Sequence, residues 1–518
     1  MQQLRLSKRV PTTMTRVALA VALVLATAVP AQAGPGDLDS SFGHGGLVHT
    51  DLGGLEQANA LGVRHDGHVL VAGDVDLNPQ KGEPGRHDFA VAGFTPRGAL
   101  DRDFADRGRL SLALGGQEGI TAMEVERYRT VVGGQQRLLD SSVYSTYGQL
   151  ALARLGTDGK LDAGFGEDGW VTLPQTRSIW TTPAVIQVLQ YGELVAVGPI
   201  EPLGDTHTKI VFAHLYDDGS PNQNFAPGGV KIVDFNGNDG WPTSFAVDPR
   251  GGLLVAGAAA ADFQGRYPLV VQRFFLDGTV DTSFGAGGVA RIGMSYQFPG
   301  AIAFQRDGAA IVSFSAGPYG ADGGRLVRLL PNGTPDASFG QGGVASTPQP
   351  GGIAVDRSDR IIVGSGFSLV RHLADGTRDR SFKTVTLPRA YGAGAATHME
   401  ITRSGAIVVA GTMFADLDSD PYEISDYDFA LARFHGGDDV RPPRIVMQRA
   451  CSHGALRFRL RDDAGRVRSV VGVDGRRVLR TARKRVRLRL SAGRHRVVVR
   501  ARDSSDNVAV QRRRVACG

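Results

Sequence analysis

Apolar and polar positions along this chain fall into three phrases that alternate and recur. The first, at residues 38–48, reads Leu-Asp-Ser-Ser-Phe-Gly-His-Gly-Gly-Leu-Val and returns at 100–110, 161–171, 221–231, 280–290, 335–345 and 378–387. The second places a polar turn between two apolar runs, as at 61–73 around Asp66-Gly67, with echoes at 123–134, 186–198, 245–257, 302–315, 353–365 and 399–411. Asp-Gly tolerates the positive φ angles of a tight reversal, so this phrase predicts a hairpin. The third, at 88–94, is apolar on both alternating faces and recurs at 149–155, 210–216, 269–275, 326–330, 368–373 and 428–434. A strand of that kind is covered on both sides, as where sheets stack face to face.

Each period therefore predicts four strands: two from the hairpin, one from the third phrase and one around the Phe-Gly phrase. Four-stranded units repeated radially make a β-propeller, which leaves few exposed sheet edges. The fold class expected is all-β: a seven-bladed propeller of four-stranded blades over 34–439, followed by a small β-sandwich over 440–518. The phase of the repeats also predicts how the ring shuts. The last period has no Phe-Gly phrase after it and the first phrase has no hairpin before it, so the N-terminal strand is expected to complete the seventh blade. The phrases at 221–231 and 378–387 are the most eroded, which puts their edge strands in question.

Beyond residue 440 the pattern becomes strict alternation. Leu456, Phe458 and Leu460 alternate with Arg457, Arg459 and Arg461; Val486, Leu488 and Leu490 with Arg485, Arg487 and Arg489; Val497, Val499 and Ala501 with Arg496, Arg500 and Arg502. These read as half-buried strands with one apolar and one guanidinium face. Charge follows the same division. The formal net charge of +6 hides about +18 from residue 440 onward and about −16 over 34–439.

The first 33 residues form a separate matter. Arg5, Lys8, Arg9 and Arg16 precede an apolar run at 17–29, and Ala31-Gln32-Ala33 supplies a small-residue cleavage site, the layout of a secretory signal peptide. No later stretch is long and apolar enough to predict a membrane span. The mature chain is thus expected outside the cell, secreted or associated with the envelope. There the two cysteines, Cys451 and Cys517, predict a disulfide across the C-terminal segment. In the loop-entropy account such a bridge contributes about 4 kcal/mol.

The three phrases resemble the delta-60 repeat family of exported bacterial proteins. The matching signature is L-D-x-S-F-G-x-x-G-x-V, an A-x-x-V…D-G…V-A-G hairpin and D-F-A-L-A-R-F, carried best by 38–48, 61–73 and 428–434. The resemblance covers about 38–435, implies a propeller, and brings no activity or cofactor with it. The ending around His495, Arg502-Asp503 and Asp506-Asn507-Val508 is similar to bacterial immunoglobulin-like or fibronectin-like modules.

Comparing the repeats with one another gives candidate ion pairs. Arg154, Arg273, Arg328, Arg371 and Arg433 recur on the third phrase, and Asp162, Asp281, Asp336 and Asp379 follow in the next Phe-Gly phrase. Where His214 replaces the arginine, Asn222 replaces the acid; Gly93 with Asp101 is an exception. A guanidinium–carboxylate clamp on the turn accounts for this pattern, and for Arg433 the partner across the closure would be Asp39. A ring of carboxylates binding metal is the alternative, disfavoured because one Asp per blade lies too far from the next to share an ion.

Chemistry is sparse. No H-E-x-x-H, G-x-S-x-G, Walker loop or paired-Cys metal spacing occurs, and the histidines are scattered singly. Asp416, Asp418 and Asp420 alternate in one loop and could converge on calcium, or form a polar solvated loop; no other cofactor is implied. The basic positions Arg457, Arg459, Arg485, Arg487, Arg489, Arg496 and Arg500 suit an anionic envelope polymer, or simply form a solvated face. No aromatic platform interleaves them, which argues against sequence-specific nucleic-acid reading. Two functions follow. One is an exported, non-catalytic, monomeric propeller that binds an envelope polymer or an extracellular protein. The other is an extracellular lyase or hydrolase of sugars or lactones, using loop carboxylates at the axial mouth; without a catalytic motif it ranks second.

Overall fold

The computed structural model describes residues 34–517 except 78–86, 141–144, 183, 206, 238–239, 261–266, 294–298, 318–321, 349–350, 366, 385–386, 388–395, 415–426, 437–443, 449, 453, 462–467, 482, 484 and 503–507. The expected signal segment, 1–33, lies outside the described residues. Among the described residues the regular structure is β-strand with two isolated 3₁₀ turns, and no helix is long and apolar enough to cross a membrane.

The strand β1 (Leu47–Thr50) comes first. An antiparallel sheet follows in chain order from β2 (Leu55–Val63), β3 (Val69–Asp76), β4 (His87–Phe94) and β5 (Arg109–Leu112). Next come β6 (Gln117–Val125), β7 (Arg129–Asp140), β8 (Ser145–Gly156) and β9 (Trp170–Thr181), then β10 (Val185–Val188), β11 (Leu194–Pro202), β12 (Lys209–Leu215) and β13 (Val230–Val233). These eight form one sheet, because β9 pairs with β8 through its first half and with β11 through its second. The repeat pattern gave no sign of this fusion. Two four-stranded sheets succeed it: β14 (Gly240–Val247) to β17 (Val289–Ile292) by way of β15 (Gly252–Ala259) and β16 (Leu269–Phe275), and β18 (Pro299–Phe304), β19 (Ala310–Ser315), β20 (Gly324–Leu329) and β21 (Val344–Thr347).

The sixth period supplies three strands among the described residues, β22 (Gly352–Val355), β23 (Ile361–Ser365) and β24 (Ser368–His372). Its eroded phrase still buries Phe382. The eroded phrase at 221–231, by contrast, leads into β13. Finally β25 (Ala396–Ile401), β26 (Ile407–Phe414) and β27 (Tyr427–Phe434) form a sheet whose fourth strand is β1. The register pairs Leu47 with Ala432 and Thr50 with Phe429, joining positions near opposite ends of the repeat region. The leading strands β2, β6, β10, β14, β18, β22 and β25 neighbour one another in that succession, and β25 also lies beside β2. The architecture is a β-propeller.

The Phe-Gly phrase explains how one sheet is held to the next. Phe42, Phe104, Phe165, Phe284 and Phe339 are buried, and each ring lies against the glycine in a turn of the following period, such as Gly333 beside Phe284. The amide after each ring then donates to a carbonyl of that turn: Gly43 to Arg97, Ala105 to Asp158, Gly166 to Asp218, Gly285 to Asn332 and Gly340 to Asp375, all at 2.6–2.8 Å. Gly285 has φ +59°, and a Cβ there would stand 2.2 Å from the Val289 carbonyl oxygen. The third period lacks this hook. Phe225 is only half-buried, and Lys231 instead donates from Nζ to the Asp277 carbonyl of the next turn at 3.0 Å.

The C-terminal segment contains β28 (Arg444–Met447), β29 (Ala455–Arg461), β30 (Arg468–Val473), β31 (Arg476–Thr481), β32 (Arg485–Arg489), β33 (Gly493–Arg502) and β34 (Val508–Cys517). They make two antiparallel sheets of order β28-β29-β32 and β31-β30-β33-β34, sharing an apolar cluster that includes Phe458, Leu460, Val471, Val497 and Val499. The Cys451–Cys517 disulfide is present; its first cysteine follows β28, so the bridge leaves from a turn and not from the first strand.

Two substitutions, with a third as control, separate the parts of the hook. Phe165→Ala should destabilise the protein by about 3–5 kcal/mol, the usual range for emptying a buried aromatic site. Gly287 has φ +63° and nothing within 4 Å of where a Cβ would stand, so Gly287→Ala should cost only the left-handed strain while Gly285→Ala adds a backbone clash. Urea unfolding monitored by tryptophan fluorescence should rank Phe165→Ala and Gly285→Ala below Gly287→Ala.

Candidate functional site

Each recurrent arginine pairs with the aspartate of its next Phe-Gly phrase, and four of the five also reach the following period. Arg154 Nε stands 2.8 Å from Asp162 Oδ2, Arg371 Nε 2.8 Å from Asp379 Oδ2, Arg433 Nε 2.9 Å from Asp39 Oδ2 and Arg273 Nε 3.3 Å from Asp281 Oδ2; Arg328 pairs with Asp336. The guanidinium groups of Arg154, Arg371 and Arg433 also cover the rings of Phe165, Phe382 and Phe42 at 4.4–4.8 Å. Beyond its own phrase, each of four arginines donates to a backbone carbonyl further along: Arg154 to Asp217, Arg273 to Pro331, Arg371 to Gly436 and Arg433 to Pro96. This second contact was not visible in the spacing. The Ser338 hydroxyl, with Arg328, holds the Asp336 carboxyl below its ordinary range against the opposing effect of burial.

The two exceptions have local reasons. A side chain at Gly93 would meet the Phe104 ring at 2.7 Å, and Asp101 stands 3.6 Å from His68 Nε2 instead. His214 lies edge-on to Phe225 and 3.2 Å from Glu193.

The leading strands carry a second set. Glu124 on β6 and Glu400 on β25 flank β2, where the bare Gly62 lets Met123 and Val125 approach. Burial pushes both carboxyls up to about 7; the like charges of Glu126 and Glu400 add to the effect at Glu124. The atoms packed around Glu400 raise it although part of the side chain is open to solvent. Burial lowers His398 to about 4.

The arginines of the C-terminal segment divide between two sheets. On β29 and β32, Phe458 pairs with Val486 and Leu456 with Leu488 on the apolar side, so Arg457 falls opposite Arg487 and Arg459 opposite Arg485 on the other. All four are exposed, as is Arg489, and among the described residues none of the five has a carboxylate partner. With Val446 and Gln448, Arg457, Arg459, Arg485 and Arg487 line a groove of about 400 Å³. Arg496 and Arg500 stand on β33 of the other sheet, where Arg496 pairs with Arg514. The seven positions therefore make two basic surfaces, one on each sheet.

Asp416, Asp418 and Asp420 lie outside the described residues. A different acidic group went unnoticed in the sequence: Asp51, Glu56 and Asp428 offer oxygens within 4.8 Å of one another. Its signal was the phrase L-G-G-x-E at 52–56, repeated at 114–118.

Residues 140–165 and 315–339 match a family described as a domain of unknown function (DUF5122) beta-propeller. Both segments span the third phrase and the start of the Phe-Gly phrase, the part of the period richest in the inter-sheet contacts above. No curated protein sequence matches the chain. Among solved structures it is similar to the Pyrococcus horikoshii acylaminoacyl peptidase, with a TM-score of 0.37 and 8% identity over 78% of this chain; it spans 57% of that chain's length. It is also similar to Drosophila Semaphorin 1a extracellular domains 1-2, with a TM-score of 0.37 and 9% identity over 75% of this chain and 87% of that one. A GH74 xyloglucanase from Xanthomonas campestris gives a TM-score of 0.36 and 10% identity over 88% and 72%. At these values none of the three carries an argument about activity.

The pKa shift of Glu124 has a testable sign. A carboxyl raised in the folded state favours folding below its unfolded pKa and loses that contribution as pH rises through about 7. Glu124→Gln should therefore stabilise the protein at about pH 8 by on the order of 1–3 kcal/mol, with the gain vanishing near pH 5. Thermal unfolding of both proteins across that pH window measures the difference.

Proposed function

We propose that this chain is an exported, non-catalytic propeller of seven blades, closed by its N-terminal strand, that is held near anionic envelope polymers by a basic C-terminal sandwich. The observation that carries the reading is the block of four exposed arginines, Arg457, Arg459, Arg485 and Arg487, set in two directly opposed pairs. Like charges opposite one another on neighbouring strands are destabilising. A polyanion relieves that repulsion, and guanidinium groups bind phosphate and carboxylate in a planar, two-pronged way. The strand order of the two sheets, with three strands facing four, is that of fibronectin-like sandwiches and supports a module of that type. The leader at 1–33 supports export, and the pairing of β1 with β27 supports closure of a seven-membered ring.

A second reading, an extracellular hydrolase or lyase of sugars or lactones, draws on Glu124 and Glu400. Two carboxyls poised near neutrality suit proton transfer. It requires that a substrate reach Glu400, and Glu400→Gln should then abolish turnover while the fold persists.

The binding reading predicts retention of the intact protein on a heparin-like resin and on isolated cell walls, decreasing as salt is raised. Combining R457Q, R459Q, R485Q and R487Q should lower the eluting salt concentration markedly, whereas R496Q with R500Q tests the other sheet. Elution of all three proteins at the same salt concentration would remove the polymer-binding role.

A further inference from the structure

We propose a calcium site at the closure of the propeller, formed by Asp51, Glu56 and Asp428. It is independent of the polymer-binding reading, and it differs from the acidic loop at 416–420. Asp51 and Glu56 are close in the chain and Asp428 comes from the other end of the repeat region. Asp51 follows β1, Glu56 lies on β2, and Asp428 lies on β27. Thr50 pairs with Phe429, so the antiparallel register carries Asp51 opposite Asp428. One oxygen from each residue lies within 4.8 Å of the other two.

Glu56 gives the independent sign of a ligand. Its side chain is fully buried, and its Oε1 accepts hydrogen bonds from the backbone amides of Leu52, at 3.1 Å, and Gly54, at 3.0 Å. Its Oε2 is buried and has no hydrogen-bond partner among the described residues. A carboxylate oxygen withdrawn from water without a partner is costly unless a cation or proton satisfies it. Asp428 is also buried, and His49 Nε2 stands 3.0 Å from its Oδ2.

The donor set selects the ion class. All three ligands are carboxylate oxygens, which suit a hard cation. Ca²⁺–O bonds of roughly 2.3–2.6 Å place oxygens on opposite sides of the ion about 5 Å apart, whereas Mg²⁺ at about 2.1 Å draws them closer. Asp51 is exposed, which leaves an entry path and room for water ligands. An ion here would tie the strand that ends at Thr50 to both β2 and β27.

The next period supplies an internal comparison. Its L-G-G-x-E phrase carries Glu118, its third phrase begins with Asp88, and the position of Asp51 is occupied by Ala113. The Glu–Asp pair thus recurs, while the third carboxylate occurs at the closure, where the strands meet from opposite ends of the repeat region.

The test uses the intact mature protein, stripped of metal by chelation, and titrates it with CaCl₂ in a calorimeter while parallel samples are followed by thermal unfolding. The expected result is one Ca²⁺ per chain with a Kd of roughly 0.1–1 mM, in the range of extracellular modules, and a calcium-dependent rise in Tm. Glu56→Gln and Asp51→Asn should each weaken binding at least about tenfold and remove the rise in Tm. Because Asp51 is exposed, D51N keeps the comparison valid if E56Q fails to fold. Absence of stoichiometric binding in the wild type would mean that Glu56 is satisfied by a proton, and would overturn the proposal. Unchanged binding in both variants would place the ion elsewhere and would overturn it equally.

Discussion

The fold depends on a contact made in most periods between one four-stranded unit and the next. A buried phenylalanine slides under a turn glycine of the following unit, and the amide beside it donates to that turn's carbonyl. Neither half would suffice by itself. The ring supplies buried apolar area but little direction. The hydrogen bond has direction but contributes modestly when water competes for both partners. Together they fix the angle and the spacing of neighbouring sheets, and the recurrent arginine reinforces the join from the same phrase, pairing with its own aspartate and reaching a carbonyl further along. Since each unit is secured by the unit after it, the last must find its partner at the beginning. Phe42 and Gly43 reach toward the turn at Arg97 while Asp39 pairs with Arg433, so the first phrase belongs to two sheets at once.

Much of this was legible in the amino-acid pattern. The strands, their order within a period and the pairing of β1 with β27 follow from three phrases and their phase, because hairpin turns and two-sided apolar strands are local signals. What was not legible is whatever depends on distance between periods. Sequence spacing showed that Arg154 and Asp162 co-occur; it could not show that the same guanidinium reaches Asp217. Nothing local announced that β9 would run on to bridge two sheets, or that Lys231 would take over the hook where Phe225 is only half-buried. The acidic group of Asp51, Glu56 and Asp428 stayed hidden for the same reason, since Asp428 lies over 370 positions from the other two.

Charge is partitioned with the architecture. The repeat region is acidic overall and sets Arg154, Arg273, Arg371 and Arg433 between its units, while the C-terminal strands carry theirs outward on two surfaces. Alternation predicted the outward direction of those side chains, but not their division between sheets, because strands with the same pattern can join either one. The disulfide at Cys451 and Cys517 constrains this segment, and both cysteines pack on its apolar cluster.

The whole arrangement rests on the N-terminal strand lying beside β27, and a cross-link tests that contact most directly. Leu47 and Ala432 are register partners, and opposed positions on antiparallel strands are within disulfide reach. The double variant Leu47→Cys with Ala432→Cys, oxidised mildly, should form an intramolecular bond in the folded monomer, seen as the loss of both free thiols and a shift in non-reducing mobility. Thiols that stay free in the folded protein, or that link only between molecules, would contradict closure by the N-terminal strand.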